Sequence, residues 1–180
     1  TLGLERMLEL LKTHWIPVDY TSTTQQDRMK KEGVRMLTEY FNQFHTSEVE
    51  VERLECLFKI RVEDELFLTG KMDRVDKKAD GVIEIIDYKT GSMPKEKDLQ
   101  KNIQLSLYAI AAGDKGTFGK PLSQIKLTFY YLQDMKKITM EKTEADIVLA
   151  KQEVQNTVKN IRAGDFTPNV GPWCDFCPFR

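Results

Sequence analysis

Nowhere in this 180-residue sequence does an apolar run approach the roughly 18 residues that a bilayer-crossing helix needs, so no membrane span is expected. The start lacks the charged, apolar and small-residue succession of a signal peptide, and it opens on Thr1, as a piece of something longer would. Cysteine is scarce: three residues, an odd number, of which only Cys174 and Cys177 lie close together. That argues against a disulfide framework and for a reducing, cytoplasmic setting. An excess of positive charge is missing too, since 27 Lys and Arg meet 28 Asp and Glu for a net charge of −1. The uniformly basic coat of many phosphate binders is thereby excluded. A local patch is not: residues 89–101 carry four Lys against one Glu and one Asp, whereas acids gather between Glu48 and Glu65. Repeats and low-complexity segments are absent as well. What is present is 41% hydrophobic residues, enough for one compact domain with its own core.

Hydrophobic periodicity divides the chain. Residues 2–14 place Leu4, Met7, Leu8 and Leu11 on one helical stripe. A second helix is expected from about Gln25 to Phe44, its apolar face being Met29, Val34, Leu37, Tyr40, Phe41 and Phe44. Gly33 inside it costs about 1 kcal/mol against Ala. From Leu54 the period becomes two: Leu54, Cys56, Phe58, Ile60 and Val62 alternate with mostly polar residues, as in a half-buried strand. Residues 66–75 and 82–89 are two further strands, and the short connections at 63–65 and 79–81 predict a three-stranded antiparallel meander. A helix over about 98–112, strands at 125–132 and 137–140, and a helix from Thr143 to about Ala163 follow. Asp146 stands in the third position of that last helix and Gly164 stops it.

Loop length then fixes register. Three-residue loops pair Val62 with Leu66 and Lys78 with Val82, Gly81 supplying the left-handed residue of the second turn. Leu54, Cys56, Phe58 and Ile60 then share an apolar face with Leu68, Met72, Val82, Ile86 and Tyr88. On the opposite face Asp73 stands between Asp87 and Glu55, with Lys89 two residues beyond Asp87. Opposed carboxylates repel, so a divalent cation or Lys89 must offset them unless the face is simply wet. Ile83 and Ile85 lie on that face, which predicts that helices cover it. Asp76 opposes Glu84 in the same register, at a hairpin mouth expected to be solvated.

These residues resemble a known family. Gly70-Lys-Met-Asp73-Arg-Val-Asp76, followed by Ile85-Ile-Asp87-Tyr-Lys89-Thr-Gly91, is similar to the PD-(D/E)XK nucleases of the RecB-like branch. Gln104-Leu-Ser-Leu-Tyr108 resembles that branch's Gln-and-Tyr helix, Glu55-Cys-Leu-Phe58 its Glu-x-x-Phe strand, and Cys174-x-x-Cys177 its terminal cysteine cluster. The resemblance implies an α/β restriction-endonuclease-like core, a central mixed sheet flanked by helices, cutting DNA with Mg²⁺ or Mn²⁺. It implies Asp73, Asp87, the Tyr88 carbonyl and Glu55 as metal ligands, Lys89 as the group that orients water and offsets phosphate charge, and Gln104 and Tyr108 as their helical companions. It also implies work in DNA repair or recombination, beside a helicase domain or subunit.

The sequence departs from the family in two respects. Neither His14 nor His45 sits where members carry a further ligand on a helix before the sheet, and Cys174 and Cys177 are half of the four thiolates a 4Fe–4S cluster takes. Cys56, in mid-strand, reads as a core thiol. A cluster is therefore expected only in a longer protein. A nuclease fold that binds or scaffolds DNA without cutting is the alternative. The expected division is a helical part at 1–48, a nuclease core at 49–165 and a cysteine-bearing tail at 166–180.

Overall fold

The computed structural model describes residues 3–44, 49–63, 66–100, 102–168 and 170–177. Thr1, Leu2, His45, Glu48, Asp64, Glu65, Lys101 and the last three residues of the cysteine-bearing tail lie outside them. Two helices lead: α1, Leu4–Thr13, and α2, Thr23–Phe44. Gly33 has its reason here, because a Cβ on it would come within 3.3 Å of the Leu11 side chain. Strands β1, Glu50–Glu63, β2, Leu66–Lys77, and β3, Ile83–Lys89, form the antiparallel meander that the alternation predicts. After β3 come α3, Glu96–Gln100, and α4, Ile103–Gly113. They split the single helix expected over 98–112, because the Asn102 side chain accepts from Gln104 N at 2.8 Å and caps a new start. Strand β4, Ile125–Tyr131, then pairs parallel with β3, and β5, Lys136–Met140, pairs antiparallel with β4. The sheet is mixed, in the order β1-β2-β3-β4-β5. Helix α5, Glu144–Arg162, starts on the Thr143–Asp146 capping box and is followed by Gly164 at φ 69°.

The β2–β3 register is the expected one: Arg74 opposes Ile86, Lys77 opposes Ile83, and Lys78 N donates to Val82 O at 2.8 Å. The turn uses two left-handed residues, Asp80 at φ 57° and Gly81 at φ 76°. Between β1 and β2 the pairs from Leu54–Arg74 to Arg61–Phe67 also follow expectation, but an irregularity at the end sets Glu63, not Val62, opposite Leu66.

The assignment of faces needs correcting. Met72 and Val75, three apart, are both fully buried in one core with Phe58, Ile60, Ile83 and Ile85. A strictly alternating strand would send them to opposite faces, so the alternation slips between them, beside the left-handed Glu55 at φ 49°. Ile86 and Tyr88 consequently leave the Phe58 face and stand with Tyr40 and Tyr130 on the other. The hairpin mouth is not solvated either: Asp76 is 2% exposed and Glu84 8%. Each has its own cation, Arg74 Nε at 2.6 Å from Asp76 and Lys78 Nζ at 2.7 Å from Glu84, and Thr128 Oγ1 donates to Glu84 at 2.7 Å. Burial by itself would raise the Glu84 carboxyl, but the hydrogen bonds from Lys78 and Thr128 outweigh it and hold it below its ordinary value.

Candidate active site

The slip in β2 positions the site. Asp73, between Met72 and Val75, sends Oδ2 to the backbone N–H of Tyr88, which donates to it at 2.9 Å. Its carboxylate is thereby fixed beside β3, next to Asp87. Asp87 is 3% exposed, which is costly for a carboxylate without strong partners. It has them on one oxygen: Gln104 Nε2 donates to Oδ1 at 2.7 Å, and the Tyr108 hydroxyl lies 2.9 Å from the same atom. Lys89, two residues on and on the same face of β3, brings Nζ to 2.5 Å from Asp87 Oδ2 and donates to Gln104 Oε1 at 2.9 Å.

Gln104 therefore faces an ammonium with its carbonyl and a carboxylate with its amide, the only way round that suits both. Gln104 Nε2 also reaches the Tyr108 oxygen at 2.8 Å, one turn further along α4. Burial, then the Asp87 charge, pushes the Tyr108 hydroxyl well above its ordinary 10.0, so it remains a donor. Its ring packs edge-on against Phe58, centroids 6.2 Å apart.

Five of the side chains read from the sequence thus converge: Asp73, Asp87, Lys89, Gln104 and Tyr108. Glu55 does not join them. Its left-handed backbone turns the carboxylate to solvent, where it pairs with Lys71. Cys174 and Cys177 lie in and just after a 3₁₀ turn, Pro172–Phe176, with Gly171 N donating to Cys174 Sγ at 3.3 Å. Cys56 is half-buried in β1, and His14 is exposed at the end of α1. The sequence reading missed three contributors. They are Asn102, which sets where α4 begins; Phe129, whose ring lies 5.1 Å from Lys89 Nζ; and the Lys71 carbonyl, 3.1 Å from the Tyr108 hydroxyl. Only Asn102 left a signal, as a favoured capping residue two positions before Gln104.

The profile of the PD-(D/E)XK nuclease superfamily matches residues 2–180. The chain belongs to that superfamily. Its five-stranded mixed sheet flanked by helices is the superfamily's restriction-endonuclease-like core. A solved structure from Eubacterium rectale, of a candidate exonuclease, has a similar fold: 15% identity and a TM-score of 0.50 over 96% of this chain and 79% of that one. Another, the protein SSO0001, is 14% identical over 97% of this chain and 90% of its own, with a TM-score of 0.45. No curated protein matches the sequence. No helix among the described residues is long and apolar enough to cross a membrane.

Nucleases of this superfamily typically use divalent metals, and the donor set can be tested for fit. Asp87 Oδ2 is buried, and no donor meets it at hydrogen-bonding geometry; Lys89 approaches it as an ionic contact only. It is a hard oxygen whose close neighbour is the Lys89 ammonium, the kind of atom a hard cation would share. Among the described residues no three His, Cys, Asp or Glu gather for a metal, so protein carboxylates supply two ligands at most. That suits an ion which keeps water or phosphate oxygens as its other ligands, and the residues fit.

Proposed function

We propose that this chain is a deoxyribonuclease domain that hydrolyses phosphodiester bonds with Mg²⁺ or Mn²⁺. The carrying observation is the arrangement of Lys89, held between Asp87 Oδ2 and Gln104 Oε1 next to the Asp73 carboxylate. Asp73 and Asp87 would hold the cation, with help from the backbone carbonyl of Tyr88, the residue after Asp87. When bound, the cation acidifies water and screens the phosphate oxygens. Lys89, held as an ammonium, orients the attacking water and offsets charge growing on the phosphate. Gln104 shares the ammonium with Asp87, and Gln104 and Tyr108 together occupy Asp87 Oδ1, so that Oδ2 would be the oxygen offered to a cation. Repair or recombination beside a helicase domain or subunit is the setting we propose, on the likeness of the Gln104–Tyr108 helix and the Asp73 and Asp87–Lys89 strands to the RecB-like branch.

The test is labelled single- and double-stranded DNA incubated with the full-length protein in Mg²⁺, Mn²⁺ or EDTA. Cleavage that needs the ion and vanishes in Asp87→Ala supports the assignment. Cleavage unchanged by Asp87→Ala removes it, and metal binding without cleavage favours a nuclease fold that only holds DNA.

A further inference from the structure

The sheet has a second chemically rich surface, on the face that Tyr88 shares with α2. A cleft of about 550 Å³ opens there, lined by Tyr40 of α2, Arg74 of β2, Tyr88 of β3, Tyr130 of β4, Lys137 of β5 and Lys78. Its volume is in the range of small-molecule sites. The nuclease chemistry uses none of these side chains.

We propose that this cleft binds a nucleotide, its phosphate against Lys137 and its base against the tyrosine rings. Charge gives the first reason. Arg74 is committed to Asp76 and Lys78 to Glu84, at 2.6 and 2.7 Å. The third cation has no such partner: among the described residues no carboxylate lies at ion-pair distance from Lys137. Its ammonium instead lies 4.2 Å from the centre of the Phe44 ring and 5.5 Å from that of Tyr130. Burial lowers the Lys137 pKa, and the attraction of Glu84 does not make up the difference. Of the three cations Lys137 is the one an arriving anion could meet without breaking an ion pair.

Shape and surface give the second reason. Tyr40 and Tyr88, both half-buried, stand 5.9 Å apart, centroid to centroid, edge to face, against the fully buried ring of Tyr130 behind them. Base stacking on such rings contributes about 1–3 kcal/mol per base. The rings also carry polar atoms for a base edge: the Tyr40 and Tyr88 hydroxyls, 2.9 Å apart, with Arg74 donating to Tyr40 at 3.3 Å. A purely apolar occupant would use the rings and leave the Lys137 ammonium without an anion. Inorganic phosphate would use Lys137 and waste the rings. A nucleotide meets both demands, either free or as the end of a strand.

Binding is independent of the nuclease reading, since a chain that cuts nothing would still take up the ligand. The experiment titrates dAMP into the full-length protein in EDTA, with deoxyadenosine and inorganic phosphate alongside. Wild type and Lys89→Ala should bind dAMP equally and more tightly than either fragment. Lys137→Glu, at an exposed position, should bind at least tenfold more weakly. Lys137→Gln serves as a second variant should the reversed charge disturb folding, and should also weaken binding. A 5′-phosphorylated oligonucleotide separates the sources: Lys137-dependent binding of it assigns the strand end, and binding of dAMP alone assigns the free nucleotide. Equal dAMP affinity in wild type and both Lys137 variants, or loss of binding in Lys89→Ala only, would overturn the proposal.

Discussion

Lys89 and Gln104 divide the work at the centre of the site, and their substitutions should separate. Lys89→Ala leaves Asp73 and Asp87 in place and removes the cation competing for Oδ2, so divalent-ion affinity should hold or rise. Cleavage at saturating Mg²⁺ should nevertheless fall by about two to four powers of ten, the scale of losing a positioned proton-transfer or charge-stabilising group. A near wild-type rate would take Lys89 out of the mechanism. Gln104→Leu acts through others: it frees Lys89 and strips a donor from Asp87, and should cost about ten- to a hundredfold in rate or metal affinity. Glu84 makes a pH prediction. Its folded pKa lies below the ordinary 4.5, so its contribution to stability is complete above that value and is lost as pH falls through the lower, folded one. Urea melts between pH 6 and pH 3 should show a smaller acid loss in Glu84→Gln than in wild type.

At the level of strands and helices, Gly70 joins packing to chemistry. A Cβ there would overlap the Phe58 ring, and Phe58 braces Tyr108, whose hydroxyl contacts Asp87. Gly70→Ala should therefore lower stability by about 1–3 kcal/mol, as overpacking does, and slow cleavage in the same protein. Stability lost with cleavage intact would disconnect the ring from the site. The strands also mark how far the sequence could be read. Their registers were legible because alternation and loop length are local, so Asp73 and Asp87 could be set side by side and Gln104 and Tyr108 on one helical turn. The change of face between Met72 and Val75 was not, since nothing in the identity of Glu55 announces a left-handed backbone. That one residue moved Ile86 and Tyr88 to the other side and took Glu55 itself out of the cluster. The burial of Asp76 and Glu84 was hidden for a related reason: their partners Arg74 and Lys78 are legible only once the sheet is covered.

Across the whole molecule, the site exists only when three elements are assembled, with Asp73 from β2, Asp87 and Lys89 from β3, and Gln104 and Tyr108 from α4. An unfolded chain presents these carboxylates far apart, so an ion that they bind should favour the folded state. At a free Mg²⁺ or Mn²⁺ concentration about a hundred times its Kd, that linkage amounts to about 2.7 kcal/mol. Asp87→Asn keeps the shape and the contact with Gln104 but withdraws the negative charge from the buried Oδ2 position. Its own effect on stability is removed by comparing each protein with and without the ion. Wild type should gain Tm as the ion is added, and the gain should follow ln concentration once binding saturates. Asp87→Asn should gain little or nothing, while Glu55→Gln, on the exposed pair with Lys71, should gain as much as wild type. The measurement is thermal unfolding over a metal titration, with EDTA as zero. A wild-type Tm indifferent to millimolar Mg²⁺ and Mn²⁺ would remove the divalent ion from this site, whatever its carboxylates suggest.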